Sequence, residues 1–539
     1  MSEGRTVGAT AALATALAAT FLALPKMGSD LSAQVARADF FADHGLTFID
    51  LRWYGGTNQF GYSLVSQPVM ALLGVRVTGA LALVGAAVAF AALLVRTGVP
   101  RPLLGSLVGA VCIAGNLVSG RVTYALGVAF GLAALVALVS GLRHRLLLAG
   151  GLALLASATS PVAGLFVGLA GVALMLGKRP GGRAGPSRQV GLLDGAVVAL
   201  AGAVPLGVTA LLFGEGGWMN ISRTDATHAI VTSLAVALLV TYRPVRAGAL
   251  LSAAGVLAAA LVHTPVGLNA TRLAAMFALP VLAACARVPR MPRGVRSPRI
   301  HARIRLPRRT RNRLAAAGLV VTLAAGYWWQ PPVSWADLRD AGNPTSDPAY
   351  FAPLLAELRA RRPAGRIEVP PTRDYWEAAY LDGFPLARGW LRQVDIERNP
   401  LFFESVPGAS GTGVALTPDG YRAWLADNAV TYVAVPDAEL SWVGRTEAAL
   451  VPRVLQQVWA GGHWRLFAVP DPTPIVAPPA TLVTSDAATL AFDTPVGGDV
   501  RVRIRHSRWL AIDGGATLTR DGEWALARVP GPGRYTITS

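Results

Sequence analysis

Long runs of apolar residues dominate the first 330 positions of the chain and become rare after them. Most runs are long enough to cross the ~30 Å hydrocarbon core of a bilayer as a helix. The pattern predicts eleven membrane spans, near residues 7–25, 68–95, 103–119, 121–142, 146–159, 161–177, 191–213, 228–242, 247–263, 270–286 and 314–330. We expect the first run to be retained as a helix, because no small-x-small cleavage site closes it.

Basic residues fall on alternate connections between these predicted spans. The longest basic connection, residues 287–313, carries 11 arginines and no acid. Since basic loops prefer the cytoplasmic side of a membrane, the pattern predicts a cytoplasmic N-terminus and an extracytoplasmic C-terminal region. The other basic connections carry Arg96, Arg101, Arg143, Arg145, Lys178, Arg179, Arg183, Arg188, Arg243 and Arg246.

After Gln330 the pattern changes to that of a folded polar domain. Residues 331–470 alternate between helical and extended periods and predict an α/β domain, whereas residues 471–539 are rich in glycine and in short alternating runs and predict a small all-β module. Predicted helices cover 348–361, 418–428 and 447–459, and predicted strands cover 366–369, 430–435, 464–469, 500–504, 509–512, 524–529 and 535–538. The predicted fold class is therefore a polytopic α-helical membrane domain, residues 1–330, followed by these two extracytoplasmic units.

Composition supports a membrane protein and argues against nucleic-acid binding. Hydrophobic residues make up 53% of the chain and charged residues only 15%, which is too apolar for an ordinary soluble protein. The net charge of +18 is concentrated in connections tethered to the bilayer, where topology and anionic lipids explain it. Cys112 and Cys285 lie in apolar runs and predict neither a disulfide framework nor a metal motif. Arginine outnumbers lysine 47 to 2, which favours a GC-rich bacterial source and hence a bacterial cytoplasmic membrane.

The first predicted outside connection, residues 26–67, is the strongest candidate for chemistry. Ser29 is expected to cap a helix that runs to about His44, with Asp30, Gln34 and Arg37 along one face. An acid in a first helical turn is also favoured by the helix dipole alone, so a structural role for Asp30 stays open.

Two further acids of this helix, Asp39 and Asp43, lie one turn apart. Carboxylate oxygens suit hard cations, so the pair is a candidate contact for Mg²⁺ or Mn²⁺, or for a phosphate-bound metal. The competing interpretation is a solvated helix face. The same connection continues with Asp50 and Arg52, which could bind a sugar hydroxyl or a phosphate.

Trp53 and Tyr54 follow at once, and their side chains suit the membrane interface.

Two arginines are expected at the outer ends of spans, where basic residues are unusual. Arg121 opens one span, and Arg272 opens another three residues after Asn269, which is itself a candidate substrate contact. Guanidinium groups grip phosphate oxygens in two-point fashion, so both are candidate phosphate ligands. Snorkelling towards lipid head groups is the alternative.

In the α/β domain, residues 373–398 combine many charges with Trp376 and Trp390. Such aromatic platforms suit carbohydrate, although a small core needs tryptophans too.

These residues together resemble the GT-C class of multi-pass glycosyltransferases. The resemblance lies in the acid-bearing first outside connection with its return Trp53-Tyr54-Gly55-Gly56, in the boundary motifs Gly120–Tyr124 and Asn269–Arg272, and in the C-terminal outside domain. The chain also looks similar to a group of bacterial multi-pass proteins with a stretch like Pro385–Trp390. The resemblance implies a catalytic base at Asp30, with Asp39 as the substitute, and a polyprenyl-phosphate-linked sugar as donor.

The sequence therefore predicts a membrane glycosyltransferase that builds a cell-envelope glycan on the extracytoplasmic face. Its expected partners are the lipid bilayer, a polyprenyl-phosphate sugar and an envelope glycan acceptor. The alternatives are a multi-pass transporter or flippase and a non-catalytic scaffold for envelope assembly.

Overall fold

In the computed structural model, which describes residues 3–177, 191–287, 295–297, 300–304 and 308–539, the apolar runs form helices. The N-terminal part contains α1 Glu3–Ala23, α2 Leu31–His44, α3 Ser66–Leu73, α4 Val75–Arg96, α5 Pro102–Val118, α6 Val122–Leu138, α7 Arg145–Thr159, α8 Pro161–Leu176, α9 Leu192–Phe213, α10 Arg223–Leu239, α11 Arg243–Leu261, α12 Arg272–Cys285 and α13 Arg308–Trp329. Two short antiparallel ladders join β1 Ile49–Asp50 to β2 Thr57–Asn58 and β3 Val295–Ser297 to β4 Ile300–Ile304.

Five helical segments in the described part of the chain are long and apolar enough to cross a bilayer: Glu3–Ala23, Val75–Arg96, Leu192–Phe213, Arg243–Leu261 and Gly267–Cys285. They make the chain a membrane protein. The other predicted spans coincide with shorter or less apolar helices, so the count of eleven crossings stays a prediction.

One predicted span has the wrong bounds. Residues 68–95 do not form a single helix, because the chain breaks at Gly74, whose φ of 83° lies in the left-handed region. The break separates α3 from α4.

Small residues set the packing between the apolar helices. Gly171 of α8 lies directly against Gly195 and Ala199 of α9, so that no side chain fits between the two backbones. Gly164 meets Ser157 in the same way, and the Ser157 hydroxyl donates to the carbonyl of Gly202 at 2.6 Å. Close approach through small residues is the usual way in which membrane helices gain packing, because lipid offers no hydrophobic driving force between them.

The ends of the apolar helices lie on two opposite faces of the membrane part. On one face the ends that carry basic residues join: Arg96 pairs with Glu3 at 3.0 Å, and the Arg101 guanidinium donates to the carbonyls of Ala283 and Ala286. On the other face the Leu64 amide donates to Ala158 O, and the Arg223 amide donates to Gly408 O of the C-terminal region. The connection around Lys178, Arg179, Arg183 and Arg188, and most of the arginine-rich connection 287–313, lie outside the described residues.

The α/β domain contains a four-stranded sheet ordered β5–β6–β8–β7. Strand β5 pairs parallel to β6, and the remaining pairs are antiparallel. Its elements are α14 Trp335–Arg339, α15 Ala352–Arg361, β5 Arg366–Glu368, α16 Glu377–Tyr380, α17 Arg392–Arg398, α18 Pro418–Asp427, β6 Val430–Pro436, α19 Trp442–Val454, β7 Gln456–Gly461 and β8 Trp464–Ala468. The helix predicted over 447–459 is wrong at its C-terminal end, since residues 456–461 form an edge strand.

The last residues form two antiparallel sheets. One sheet is ordered β12–β15–β10–β9 and the other β11–β14–β13. The strands are β9 Thr481–Ser485, β10 Leu490–Thr494, β11 Gly498–Arg505, β12 Ala511–Ile512, β13 Thr517–Asp521, β14 Trp524–Val529 and β15 Gly533–Thr538. The alternating residues Val502, Phe492 and Ile537 are buried in one core, which confirms a β-rich C-terminal region.

The first connection lies between the membrane helices and both C-terminal units. Trp53 and Tyr54 are 1% exposed and belong to the core of the α/β domain. The Trp53 indole donates to Ala378 O at 3.1 Å, and the Tyr54 hydroxyl donates to Gly389 O at 2.6 Å. The membrane-interface role predicted for these two residues is therefore wrong: they anchor the connection to the α/β domain.

Candidate functional site

Two glycines place Asp30 beside the turn between α5 and α6. Gly28 has a φ of 107° and Gly120 a φ of 72°, and at this crossing a Cβ on either glycine would collide with backbone of the other segment. The Asp30 amide donates to Ser119 O at 3.1 Å. Because backbone contacts backbone here, the start of α2 is fixed next to Arg121.

The Asp30 carboxylate lies between two arginines. Its Oδ2 is 3.4 Å from Arg121 Nε and 3.4 Å from Arg272 Nη2. Asp30 occupies the N-cap position of α2, where Ser29 was predicted, yet its side chain makes no capping hydrogen bond. The carboxylate is thus directed at the arginines rather than at the amides of its own helix.

The site keeps a net positive charge. Two guanidinium groups face one carboxylate, and Arg121 and Arg272 stand at the N-termini of α6 and α12, where the helix dipoles add positive potential. Both ion pairs are longer than the ~2.8 Å of a tight charge-assisted hydrogen bond. An incoming anion can therefore compete with Asp30 for the arginines.

Polar side chains from several elements surround this ion cluster. The Thr123 hydroxyl contacts Gln34 Oε1 at 2.6 Å and the Ser66 hydroxyl at 2.8 Å, which ties α6 to α2 and α3. Burial raises the pKa of Tyr62, and the Asp30 carboxylate raises it further, whereas Arg272 and Arg37 lower it. Tyr62 and Gln34 thus form one wall of the site.

The α/β domain reaches the same place through Trp390. Its indole donates to Ser29 O at 3.0 Å, immediately before Asp30, and its ring packs edge-on against Tyr62 with centroids 6.0 Å apart. Of the two tryptophans predicted to bind substrate, Trp390 therefore lies at the site.

Trp376 does not. Its ring is 1% exposed and stacks on Tyr380, so it presents no open face to a sugar.

An apolar cavity of about 590 Å³ lies among the helices and is lined by Leu273, the residue that follows Arg272. Leu273 and Ala274, the residues that follow Arg272 in α12, line one end, and Thr97, Gly177 and Tyr242 line the end near the basic face. Its walls come from α4, α6, α8, α10, α11 and α12. The cavity was not predicted, because its wall depends on how six helices pack.

The remaining predicted site residues lie elsewhere or are already paired. Asp50 and Arg52 form an ion pair at 2.8 Å, and Arg52 also donates to Ala36 O, so both serve the structure of the first connection. Asn269 is buried in the turn before α12, where its amide contacts Met219 Sδ at 3.3 Å. Their substrate contacts stay predictions.

Asp39 and Asp43 are exposed on α2 and are not among the partners of Arg121 or Arg272. Among the described residues no group of three or more histidine, cysteine, aspartate or glutamate side chains is arranged to hold a metal ion. One or two carboxylates together with substrate phosphates can hold Mg²⁺, so the cation contact predicted for Asp39 and Asp43 stays a prediction.

Tyr124 is a site residue that the sequence analysis did not single out. The Arg272 guanidinium lies 5.2 Å from the centre of its ring. The motif Gly120–Tyr124 contained a signal for this residue. Arg121 and Tyr124 lie three residues apart at the start of a helix and therefore share a face.

Comparison with known proteins gives limited information. No protein-family model and no curated protein matches the chain. Among solved structures, the cryo-EM structure of the mycobacterial arabinofuranosyltransferase AftD is 16% identical, covers 92% of this chain and 41% of its own, and has a TM-score of 0.47. A mutant of AftD is 13% identical, covers 100% of this chain and 60% of its own, with a TM-score of 0.46. The chain thus spans less than two thirds of AftD, and similarity at this level assigns it no activity.

Proposed function

We propose that the chain is a GT-C-like membrane glycosyltransferase that moves a sugar from a polyprenyl-phosphate donor to a cell-envelope glycan on the extracytoplasmic face. One observation carries the proposal: the Asp30 carboxylate lies 3.4 Å from both Arg121 and Arg272, and Leu273, the residue after Arg272, lines an apolar cavity. Such a reaction needs a general base, a binding site for the donor phosphate and a cavity for the lipid chain.

The donor phosphate binds to Arg121 and Arg272, which carry forked donors suited to phosphate oxygens. Binding displaces the Asp30 carboxylate from the arginines and leaves it a stronger base. Asp30 then accepts the proton of the acceptor hydroxyl as that oxygen bonds to the anomeric carbon. The bond from this carbon to the phosphate oxygen breaks, and the electron pair leaves with the polyprenyl phosphate, whose charge the arginines stabilise.

The lipid chain of the donor occupies the cavity. Apolar side chains line most of it, and one of them, Leu273, is next to Arg272 in the chain. Burial of a prenyl chain there contributes affinity in proportion to the apolar area removed from contact.

The site faces outside in this proposal. The Asp30 cluster lies on the same face as the α/β domain, and the ends that carry Arg96, Arg101 and Arg145 lie on the other. Basic ends mark the cytoplasmic side of a membrane protein. The C-terminal units and the transfer reaction then belong to the extracytoplasmic side.

A flippase fits the structure less well. A lipid phosphate that crosses the bilayer needs compensating charge at mid-membrane. Of the described residues that line the cavity, none is acidic or basic. A scaffold remains the second alternative, and it predicts that the Asp30 cluster can be altered without loss of glycan assembly.

The test is sugar transfer by the purified full chain in lipid nanodiscs, with a panel of radiolabelled polyprenyl-phosphate sugars, with and without Mg²⁺ or Mn²⁺. We expect Asp30→Asn to lower kcat by about 10²-fold or more, the usual size of a lost general base, without loss of donor binding. Asp419→Asn, which changes an exposed acid of α18, is the matched control and should leave transfer unchanged. Transfer that survives in Asp30→Asn, or no transfer from any donor, would reject the proposal.

A further inference from the structure

Tyr124 lies between the ion cluster and the apolar cavity. One neighbour of its ring is the Arg272 guanidinium at 5.2 Å, and another is Phe166, with ring centroids 6.3 Å apart. Phe166 lines the cavity. Tyr124 is thus a neighbour both of Arg272 and of a residue of the cavity wall.

The hydroxyl of Tyr124 is buried without a hydrogen-bond partner in the described part of the chain. The whole residue is 1% exposed, so bulk solvent does not reach it. A buried hydroxyl left in this state is costly, and packing alone would be served as well by phenylalanine. The neighbouring Arg121 and Arg272 make an anionic acceptor the most favourable partner, since the same charges attract it.

We propose that Tyr124 is a specificity-determining residue whose hydroxyl donates a hydrogen bond to a phosphate oxygen of the lipid donor. This inference rests on the proposed function and adds a third contact to the phosphate. Arg121 is the N-cap residue of α6, Tyr124 lies in the first turn of that helix, and Arg272 is the first residue of α12. The three side chains thus grip the phosphate from two helices, with the lipid chain directed along Phe166.

The experiment compares two lipids that differ only in the phosphate. Binding of undecaprenyl phosphate and of undecaprenol to the full chain in nanodiscs is measured for the unaltered protein, Tyr124→Phe, Arg272→Ala and Tyr535→Phe. We expect Tyr124→Phe to weaken undecaprenyl phosphate binding by roughly tenfold to a hundredfold, the range for a hydrogen bond to a charged group, and to leave undecaprenol binding unchanged. Arg272→Ala should abolish the preference for the phosphate.

Tyr535→Phe is the matched control. It removes a hydroxyl that donates to Gly531 O at 2.9 Å in the β module, so it should lower the Tm and leave both lipids unaffected. Tyr124→Phe removes a hydroxyl that has no such partner, so the Tm of the lipid-free protein should stay equal or rise. Weaker phosphate binding together with an undiminished Tm separates a ligand contact from a structural one.

The outcomes separate the two proposals. If the unaltered protein binds both lipids equally, the proposed function fails, and the phosphate contact of Tyr124 is overturned with it. If it prefers the phosphate and Tyr124→Phe keeps that preference, the proposed function stands and the role of Tyr124 is overturned. A fall in Tm as large as that of Tyr535→Phe would show that Tyr124 has a structural partner, which also overturns its role.

Discussion

Asp30 gives up a local stabilising contact in order to face the arginines. An aspartate at an N-cap normally accepts a hydrogen bond from the second or third amide of the helix, which is worth about 1 kcal/mol. In α2 this bond is absent. Residues that break a local rule of this kind are concentrated at functional sites, where the surrounding structure compensates. The helix dipole alone, which also favours an acid at this position, does not explain why the side chain turns away from the amides.

A second ion cluster, in the α/β domain, is structural. Arg388 lies 2.9 Å from both Asp395 and Glu447 and 3.5 Å from Glu368, and all four side chains are at most 2% exposed. Three carboxylates surround one guanidinium, so they cannot all be charged without a large electrostatic cost. Burial and the Glu447 charge raise the pKa of Glu368 well above its usual range. Burial thus favours the neutral form of Glu368, and Arg388 and Asp395, two of the charged residues predicted for carbohydrate binding in residues 373–398, belong to the core.

Glu377 makes the stability of this domain depend on pH. Burial raises the pKa of Glu377 from 4.5 to about 7, while the Thr372 hydroxyl bonds to its carboxyl group. Between these two values the folded protein holds a proton that the unfolded chain releases, so the contribution of Glu377 to stability falls as pH rises from about 4.5 to about 7. Below and above this window its contribution is constant.

The variant Glu377→Gln lacks this titration. We expect the difference in unfolding free energy between the unaltered protein and Glu377→Gln to decrease by up to about 3 kcal/mol across the window. Thermal or urea unfolding of the full chain, followed by tryptophan fluorescence at several pH values, measures it. The unfolding free energy of Glu404→Gln, at an exposed position, should depend on pH in the same way as that of the unaltered protein. Parallel curves for Glu377→Gln as well would contradict the assignment.

Close backbone contact between the segments around Gly28 and Gly120 holds α2 against the α5–α6 turn. Gly120→Ala places a Cβ against the backbone of Leu31 at a φ of 72°. We expect α2 to shift and Asp30 to separate from Arg121, with a loss of at least about tenfold in kcat/KM, because small misplacements at a reacting centre cost up to about 10²-fold.

Gly74→Ala is the matched control for this change. Gly74 has a φ of 83°, but a Cβ there meets open space. The two variants share the strain of a left-handed alanine, about 1–2 kcal/mol, and differ only in the contact. Both should lower the Tm, whereas only Gly120→Ala should lower transfer per folded molecule. Equal activity in the two variants would show that the crossing does not position Asp30.

Sequence periodicity predicted the helices better than it predicted what they contact. Topology predicted a common face for Asp30, in the first outside connection, and for Arg121 and Arg272, at the outer ends of spans, but not their contact. The burial of Trp53 and Tyr54 could not be deduced, because an aromatic pair at a membrane boundary has the same pattern whether it meets lipid or another domain. Val454 and Val458 lie four apart, a spacing that fits the predicted helix 447–459 and that a half-exposed edge strand also permits. The contact of Trp390 with the site could not be deduced, because it depends on the docking of separate elements.

The candidate site lies between three units of the molecule: the membrane helices, the α/β domain and the β module. The first connection contacts the α/β domain through Trp53, and the β module through Leu51, whose amide donates to Ala487 O at 2.8 Å. Trp390 reaches from the α/β domain to the residue before Asp30. The C-terminal units thus do more than cover the membrane part, because they hold the segment that carries the proposed base.

The orientation of this assembly can be tested by cysteine labelling. The two native cysteines, Cys112 and Cys285, are buried, so Cys112→Ala with Cys285→Ala gives a cysteine-free background that keeps an apolar residue at each place. Single cysteines are then introduced as Thr519→Cys in β13, as Asp419→Cys in α18 and as Arg143→Cys in the connection between α6 and α7. All three native residues are exposed. A membrane-impermeant maleimide should label the first two in intact cells and Arg143→Cys only after the membrane is opened. Labelling of Arg143→Cys in intact cells, with the other two protected, would place the C-terminal units and the Asp30 cluster in the cytoplasm, where an extracytoplasmic glycan acceptor is out of reach.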